Sequence, residues 1–185
     1  NSAVTLNLLT GQGQKFLEKG YSYGWLAGIV VKSEDLILAE PIIDDLQKNG
    51  TNLIIRACYG GAGGCEIAPE GSTEEVIKRD AKTYALSTIA LAEKSKYPFW
   101  IVGGHNEPNL VEIRTPKQEA IFLKTYMDNI SNPKNYKADF YTTRAKINVL
   151  APILADPTWR DDTKGIIPFE AYLKEMELYS ANLFG

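Results

Sequence analysis

Four polar residues, His105, Asn106, Glu107 and Asn109, crowd the end of the apolar run Phe99-Trp100-Ile101-Val102, separated from it only by Gly103-Gly104. A carboxyl group flanked by amides and an imidazole is equipment for general acid–base chemistry and for binding hydroxyl groups. The same residues also fit an ordinary polar loop that holds one carboxylate. The apolar run reads as a short buried strand, and Pro98 stands where a strand can begin. The two glycines let the backbone bend and leave room for a close approach above it. Pro108 restricts Glu107 to extended conformations, which fixes the direction of its side chain. In alternating α/β folds ligands bind at the carboxyl ends of the strands.

The elements around this stretch alternate between strand and helix. Trp25 to Val31 is an apolar run with β-branched residues and reads as a strand. Ser33-Glu34-Asp35 makes a turn or a helix start, and Pro41 suits the first turn of a helix that runs to Lys48 with Ile42, Ile43 and Leu46 as its buried stripe. Gly50 fits its stop. The next strand is Asn52 to Ala57. It carries Arg56 near its end, and burying that charge unpaired is costly. A partner is therefore required, either Glu107 on a neighbouring strand or a structural ion pair.

Cys58 and Cys65 bracket a segment with four glycines and can close a small disulfide loop over the carboxyl end of the sheet. A cysteine pair points to an oxidising compartment, and so to an extracellular or cell-surface site ahead of the cytoplasm. Two cysteines and a single histidine make a poor metal site, and no metal or cofactor is expected. Ser72 and Glu75 have capping-box spacing and open a helix. Its core face is Ile77, Ala81, Tyr84, Ala85, Thr88, Ile89 and Ala92, and Lys94 and Lys96 close it in the favourable dipole sense.

Beyond the polar stretch, Thr115-Pro116-Lys117-Gln118 combines a cap residue, an N1 proline and a capping-box glutamine. The helix it starts runs to about Asn129, with Ile121, Phe122, Met127 and Ile130 apolar. Residues 132–143 link it, with some helix potential, to a strand at Lys146 to Pro152. Asp156-Pro157-Thr158-Trp159 forms the loop after that strand. Trp159 either offers a stacking platform for a sugar or packs against the following helix. Pro168 or Phe169 starts the last helix, whose stripe of Tyr172, Leu173, Met176 and Tyr179 reads as core. Residues 1–22 read as an N-terminal arm or an extra strand at Ala3–Leu9, and residues 23–185 as the domain proper.

Asn106-Glu107-Pro108 after a Trp-containing apolar strand resembles the Asn-Glu-Pro motif of the clan of retaining glycoside hydrolases built on TIM barrels. Asn109 is similar to the residue found next in xylosidase-like and iduronidase-like members. The resemblance implies that Glu107 is the general acid/base and that Asn106 binds the sugar hydroxyl beside the anomeric carbon. Arg56 matches an arginine near the end of the clan's second strand that supports the active-site carboxylates. His105 is not part of the clan's pattern; its ring can meet a ligand hydroxyl, Glu107 or a strand-end carbonyl. The motif strand is normally fourth, yet only two strands are evident between Trp25 and Ala57, so Ala3–Leu9 supplies the missing one or the arrangement departs from the clan. The clan's nucleophile, a glutamate at the end of strand seven, has no match. Glu66, Glu70 and Asp156 are weak substitutes, with Asp156 best placed to face a cleft.

The fold expected is α/β, a partial or truncated TIM-type (β/α) barrel of parallel strands surrounded by helices. A complete barrel takes about 250 residues, and this chain has 185. Its open edge exposes backbone donors and acceptors, so a second chain, a swapped copy or a missing C-terminal half is expected to cover it. The function expected is action on a β-linked carbohydrate by a retaining glycoside hydrolase whose nucleophile lies outside the chain. The alternative is a non-catalytic carbohydrate-binding or structural module on a degenerate glycosidase scaffold. A phosphate-dependent enzyme is disfavoured, because the glycines of 60–64 lead to Glu66 and Pro69 and not to a helix with an adjacent Lys or Arg.

Composition agrees with a folded domain: 44% hydrophobic and 23% charged residues, with a net charge of -3. No long basic patch is present, which argues against nucleic acid as partner, and no 18-residue apolar span suggests a transmembrane helix. Ten tyrosines and three tryptophans suit carbohydrate stacking as well as core packing. Asn49-Gly50-Thr51 and Asn129-Ile130-Ser131 match the short glycosylation pattern.

Overall fold

The computed structural model describes residues 26–31, 33–48, 52–57, 72–105, 108–109, 115–152, 154 and 167–180. Four strands, β1 (Leu26–Val31), β2 (Asn52–Ala57), β3 (Phe99–Val102) and β4 (Ile147–Leu150), form one sheet in the order β1-β2-β3-β4. Every pairing among them is parallel. Ile54 lies opposite Trp100 and Ile55 opposite Ile101, while Phe99 faces Ile147 and Val102 faces Leu150. The expected limits of β2 and β3 agree with the structure, and no antiparallel strand seals the sheet among the described residues.

Helices fill the connections. A 3-10 segment (Ser33–Ala39) and helix α1 (Glu40–Lys48) join β1 to β2, and α2 (Glu74–Lys94) precedes β3. The long α3 (Pro116–Ile130), a 3-10 turn (Pro133–Asn135) and the short α4 (Phe140–Arg144) lie between β3 and β4, and α5 (Phe169–Tyr179) follows. Right-handed crossovers between strands in sequential order put all their helices on one face of a sheet. One continuous core agrees with this: Leu53, Ile55, Phe99, Ile101 and Ile147 from alternate strand positions are buried together with residues of α1, α2 and α3. The opposite face is drier at one end than the other. Ile54, Arg56, Trp100 and Leu150 are half-buried there, Val102 is buried, and Asn148 is exposed.

Local chemistry explains where the helices start. At α2 the cap is Thr73, not Ser72: its hydroxyl accepts from the Val76 amide at 3.4 Å. Glu74 and Glu75 lie in the first turn, where the helix dipole favours them. The expected core face of α2 is buried throughout. At α3 the full capping box forms. Gln118 N–H donates to Thr115 Oγ1 at 3.2 Å, and Thr115 N–H donates back to Gln118 Oε1 at 3.0 Å. In α5, Tyr172 and Met176 are buried against Ala120 and Leu123 of α3, as the stripe predicts. Tyr179 departs from it. The residue is 47% exposed, and the Lys117 ammonium sits 5.7 Å from its ring centre.

Asn129, one of the two glycosylation matches, lies within α3. Its amide nitrogen donates to the Thr125 carbonyl at 2.8 Å, and its Oδ1 accepts from Asn135 at 3.2 Å. Asn49, in the other match, lies outside the described residues, as do the Ala3–Leu9 segment and Gly50.

Candidate functional site at the carboxyl end of β3

The carboxyl end of β3 is fixed from several sides. Gly103 N–H donates to the Leu150 carbonyl at 2.9 Å, which carries the parallel pairing with β4 one residue further. The Val102 carbonyl accepts from the Tyr84 hydroxyl at 2.9 Å. Behind it, Tyr126 donates to Thr88 Oγ1 at 3.1 Å, and Thr88 donates to the Tyr84 carbonyl at 2.9 Å. Burial pushes the Tyr126 phenol well above its usual value and keeps it a donor. A dry layer of tyrosines thus underlies the strand end, with the Tyr84 and Tyr126 rings 4.9 Å apart between centres and tilted by 31°.

Both glycines are required by space. A Cβ on Gly103 would come within 2.7 Å of Val149 Cγ1 and 2.9 Å of Leu123 Cδ1. A Cβ on Gly104 would collide with Glu119 Oε1 and lie 2.6 Å from Pro152 Cγ. What approaches Gly104 is therefore a carboxylate of this chain, brought in by α3.

Glu119 is completely buried, and so is almost all of His105, at 4% exposure. Glu119 Oε1 accepts from the His105 backbone N–H at 2.7 Å, a short, charge-assisted hydrogen bond. Its other oxygen, Oε2, lies 3.0 Å from His105 Nδ1, with the approach bent away from the ring's N–H direction. The imidazole stands edge-on to Phe122, 5.2 Å between ring centres at 77°. One carboxylate thus contacts both the main chain and the ring of the residue that immediately precedes Asn106-Glu107. A carboxylate in so dry a place needs its oxygens engaged, and the bond from the His105 backbone supplies part of that need.

Past the motif, Pro108 and Asn109 are buried. The Asn109 amide donates to the Ile167 carbonyl at 3.0 Å, and the Ile167 N–H donates to the Asn109 carbonyl at 2.9 Å. This two-way tie joins the β3 loop to the segment that enters α5.

The residues expected to line a sugar site therefore separate. His105 and Asn109 are brought together at the end of β3, but their polar groups engage Glu119 and Ile167 inside the chain. Arg56 is half-buried at the end of β2, one residue past the last paired position with β3. Asn106, Glu107, Trp159, Cys58 and Cys65 lie outside the described residues, as do Glu66, Glu70 and Asp156. Among the described residues no group of three or more His, Cys, Asp or Glu side chains is arranged to hold a metal. No helix among them is long and apolar enough to cross a membrane.

Glu119 was not singled out by its motif, yet its position carries a signal. Glu119, Phe122, Leu123, Tyr126 and Ile130 fall on one helical face, and all of them are buried. A carboxylate in the leading position of a core stripe calls for an internal partner.

No protein-family model matches this sequence, and no curated protein or solved structure matches it either.

Proposed function

We propose that this chain is the N-terminal part of a glycoside-hydrolase-like (β/α) barrel that acts on a β-linked carbohydrate, with Glu107 as general acid/base. The observation that carries the reading is the position of the Asn106-Glu107-Pro108 motif in the chain. It follows directly on β3, an inner strand of a parallel sheet wound in sequential order. Sequential winding with the helical core on one face is the arrangement from which barrels close, and barrel chemistry sits at the carboxyl ends of the strands.

In this reading Glu107 protonates the leaving oxygen and then takes the proton from the incoming water. Asn106 holds the neighbouring hydroxyl, and Arg56, at the adjacent strand end, supports the negative charge. His105 and Asn109 serve the loop from within. Retention requires a second carboxylate about 5 Å from the first. We assign it to a strand other than the four described, contributed by further sequence or by a second chain.

The test is hydrolysis of a panel of aryl β-glycosides by the 185-residue chain and, in parallel, by a form extended at its C-terminus. The isolated chain is expected to be nearly inactive and the extended form active, with activity abolished by Glu107→Gln. Activity that survives Glu107→Gln would sink the assignment. Oligosaccharide binding without turnover in both forms would favour the carbohydrate-binding module instead.

A further inference from the structure

We infer that Glu119 is a positioning residue: it sets the tautomer of His105 and pins the strand end that delivers Asn106 and Glu107. The importance of that delivery rests on the reading of Glu107 given above; the geometry of the pair does not. Three observations carry the inference. The carboxylate is completely buried and sits one helix away from the motif, on α3. It accepts from the His105 main chain at 2.7 Å with one oxygen, and its other oxygen lies 3.0 Å from Nδ1 of the His105 ring. Gly104 lacks the Cβ that would collide with it, so the backbone beside the motif leaves room for this carboxylate.

The tautomer follows from the inventory of donors. A carboxylate offers only lone pairs to its neighbours. Oε1 already accepts from a backbone N–H, a bond that favours the ionised form. A lone pair on Nδ1, 3.0 Å from Oε2 in a dry surrounding, would face the carboxylate's own lone pairs, so the proton is placed on Nδ1 although the approach is bent. In the neutral ring that leaves Nε2 as the acceptor. The ring is thereby held in one state and one orientation directly before Asn106.

Glu119→Gln inverts this arrangement while keeping the shape. The His105 N–H requires an oxygen, so the carboxamide oxygen takes the place of Oε1. Its NH2 then faces Nδ1, which must present a lone pair, and the ring proton moves to Nε2. The chain has a single histidine, so selective 15N labelling of histidine gives one pair of ring nitrogen resonances and no assignment problem.

The experiment records those resonances at mildly alkaline pH, together with hydrogen exchange of the His105 amide, for the wild type, Glu119→Gln and Glu119→Ala. The wild type is expected to show protonated Nδ1 and bare Nε2, and Glu119→Gln the reverse. Exchange at the His105 amide should remain slow in Glu119→Gln, which keeps the acceptor, and quicken by roughly tenfold or more in Glu119→Ala, which removes it. Protonated Nε2 in the wild type, or an unchanged tautomer in Glu119→Gln, overturns the inference; these two proteins decide it even if Glu119→Ala does not fold. Neither readout uses turnover. Failure of the glycosidase reading would appear as hydrolysis indifferent to Glu107→Gln with these spectra intact, whereas failure of this inference would appear in the spectra even where Glu107 is essential.

Discussion

The two ends of the sheet are built by different means. At the amino end, side chains cap helix termini and strand starts. Lys146 Nζ donates to the Ala92 and Ser95 carbonyls at 3.1 and 2.7 Å, closing the C-terminus of α2. Arg144 donates to the Ile147 carbonyl at 2.7 Å, and Gln47 reaches Asn52 Oδ1 at 2.9 Å. The donating side chains are half-buried, and Lys146 and Arg144 close otherwise unsatisfied backbone carbonyls. At the carboxyl end the side chains involved are themselves buried. Glu119 crosses from α3 to His105, Asn109 reaches Ile167, and Gly103 and Gly104 are pared to a hydrogen atom so that neighbours can approach. One end repairs backbone; the other places buried charged and polar groups beside the end of β3. A carboxylate in so dry a place is an expensive way to gain stability, so its placement beside the motif is better explained by a positioning role.

Breaking the carboxyl end should have the largest effect. Glu119→Ala removes one partner of a dry pair and leaves the His105 N–H and ring facing a void. The expected loss is about 2–5 kcal/mol of unfolding free energy, from two orphaned buried donors at about 1–3 kcal/mol each, measured by urea denaturation. A loss under about 1 kcal/mol, the scale of an exposed pair, would mean that the carboxylate is solvated and that the contrast between the two ends is false.

Lys146→Met tests the amino end. It keeps much of the aliphatic stem but deletes two charge-assisted bonds to carbonyls at the end of α2. The expected cost is about 1–2 kcal/mol in the same measurement, with the His105 ring resonances unmoved. A shift of those resonances would show that the two ends are coupled through β3 and are not independent devices.

Much of this architecture is legible in the sequence because it depends on neighbours along the chain. The run Phe99–Val102 bounded by Pro98 and two glycines specifies a strand, and Thr115-Pro116-Lys117-Gln118 specifies a helix start, each within a few residues. The buried stripe of α2 follows from spacing alone. Ser72 and Thr73 compete for one cap, and only the coordinates show Thr73 making it. His105 is harder. A lone imidazole at a strand end reads the same whether it faces a ligand or turns inward, and what decides is a carboxylate 14 positions away on another element. Glu119 itself is disguised by its place in a strong helix start, where an acidic residue in the first turn is expected on dipole grounds. Its place on the apolar face of α3 hints at burial, but which partner it meets depends on how α3 lies against β3.

A smaller effect sharpens the view of the cap that starts α3. Thr115 is exposed, and its hydroxyl and backbone form the reciprocal bonds with Gln118. Thr115→Ala is expected to cost about 1 kcal/mol. Because Glu119 follows Gln118 directly, the variant also asks whether the pair depends on the helix start. Thermal unfolding should show the loss while the Nδ1 proton of His105 remains in place. If the tautomer changes too, the first turn of α3 belongs to the positioning device and not merely to the scaffold.

The smallest effect expected comes from the acid response of α4, on the amino-end side. Asp139 accepts from the Thr142 backbone N–H at 2.9 Å and from the Thr142 hydroxyl at 2.8 Å. Those bonds favour the carboxylate and hold its pKa below the usual value, the backbone bond first and the hydroxyl second. A group whose folded-state pKa is lowered adds stability at pH values above its unfolded-state pKa. That stability drains away as the pH falls through the lowered folded value. The group is fully solvent-exposed, so the effect should be slight. Asp139→Asn keeps an oxygen acceptor for the cap but removes the titration. Melting temperatures of the wild type and Asp139→Asn should therefore differ a little near neutral pH, with the wild type higher, and converge in acid. A gap that stays constant into the acid range would assign the difference to cap geometry instead of charge. A solvated cap at one end of the sheet would then owe its strength to shape, while the buried Glu119 at the other end holds the His105 backbone through a charge-assisted bond.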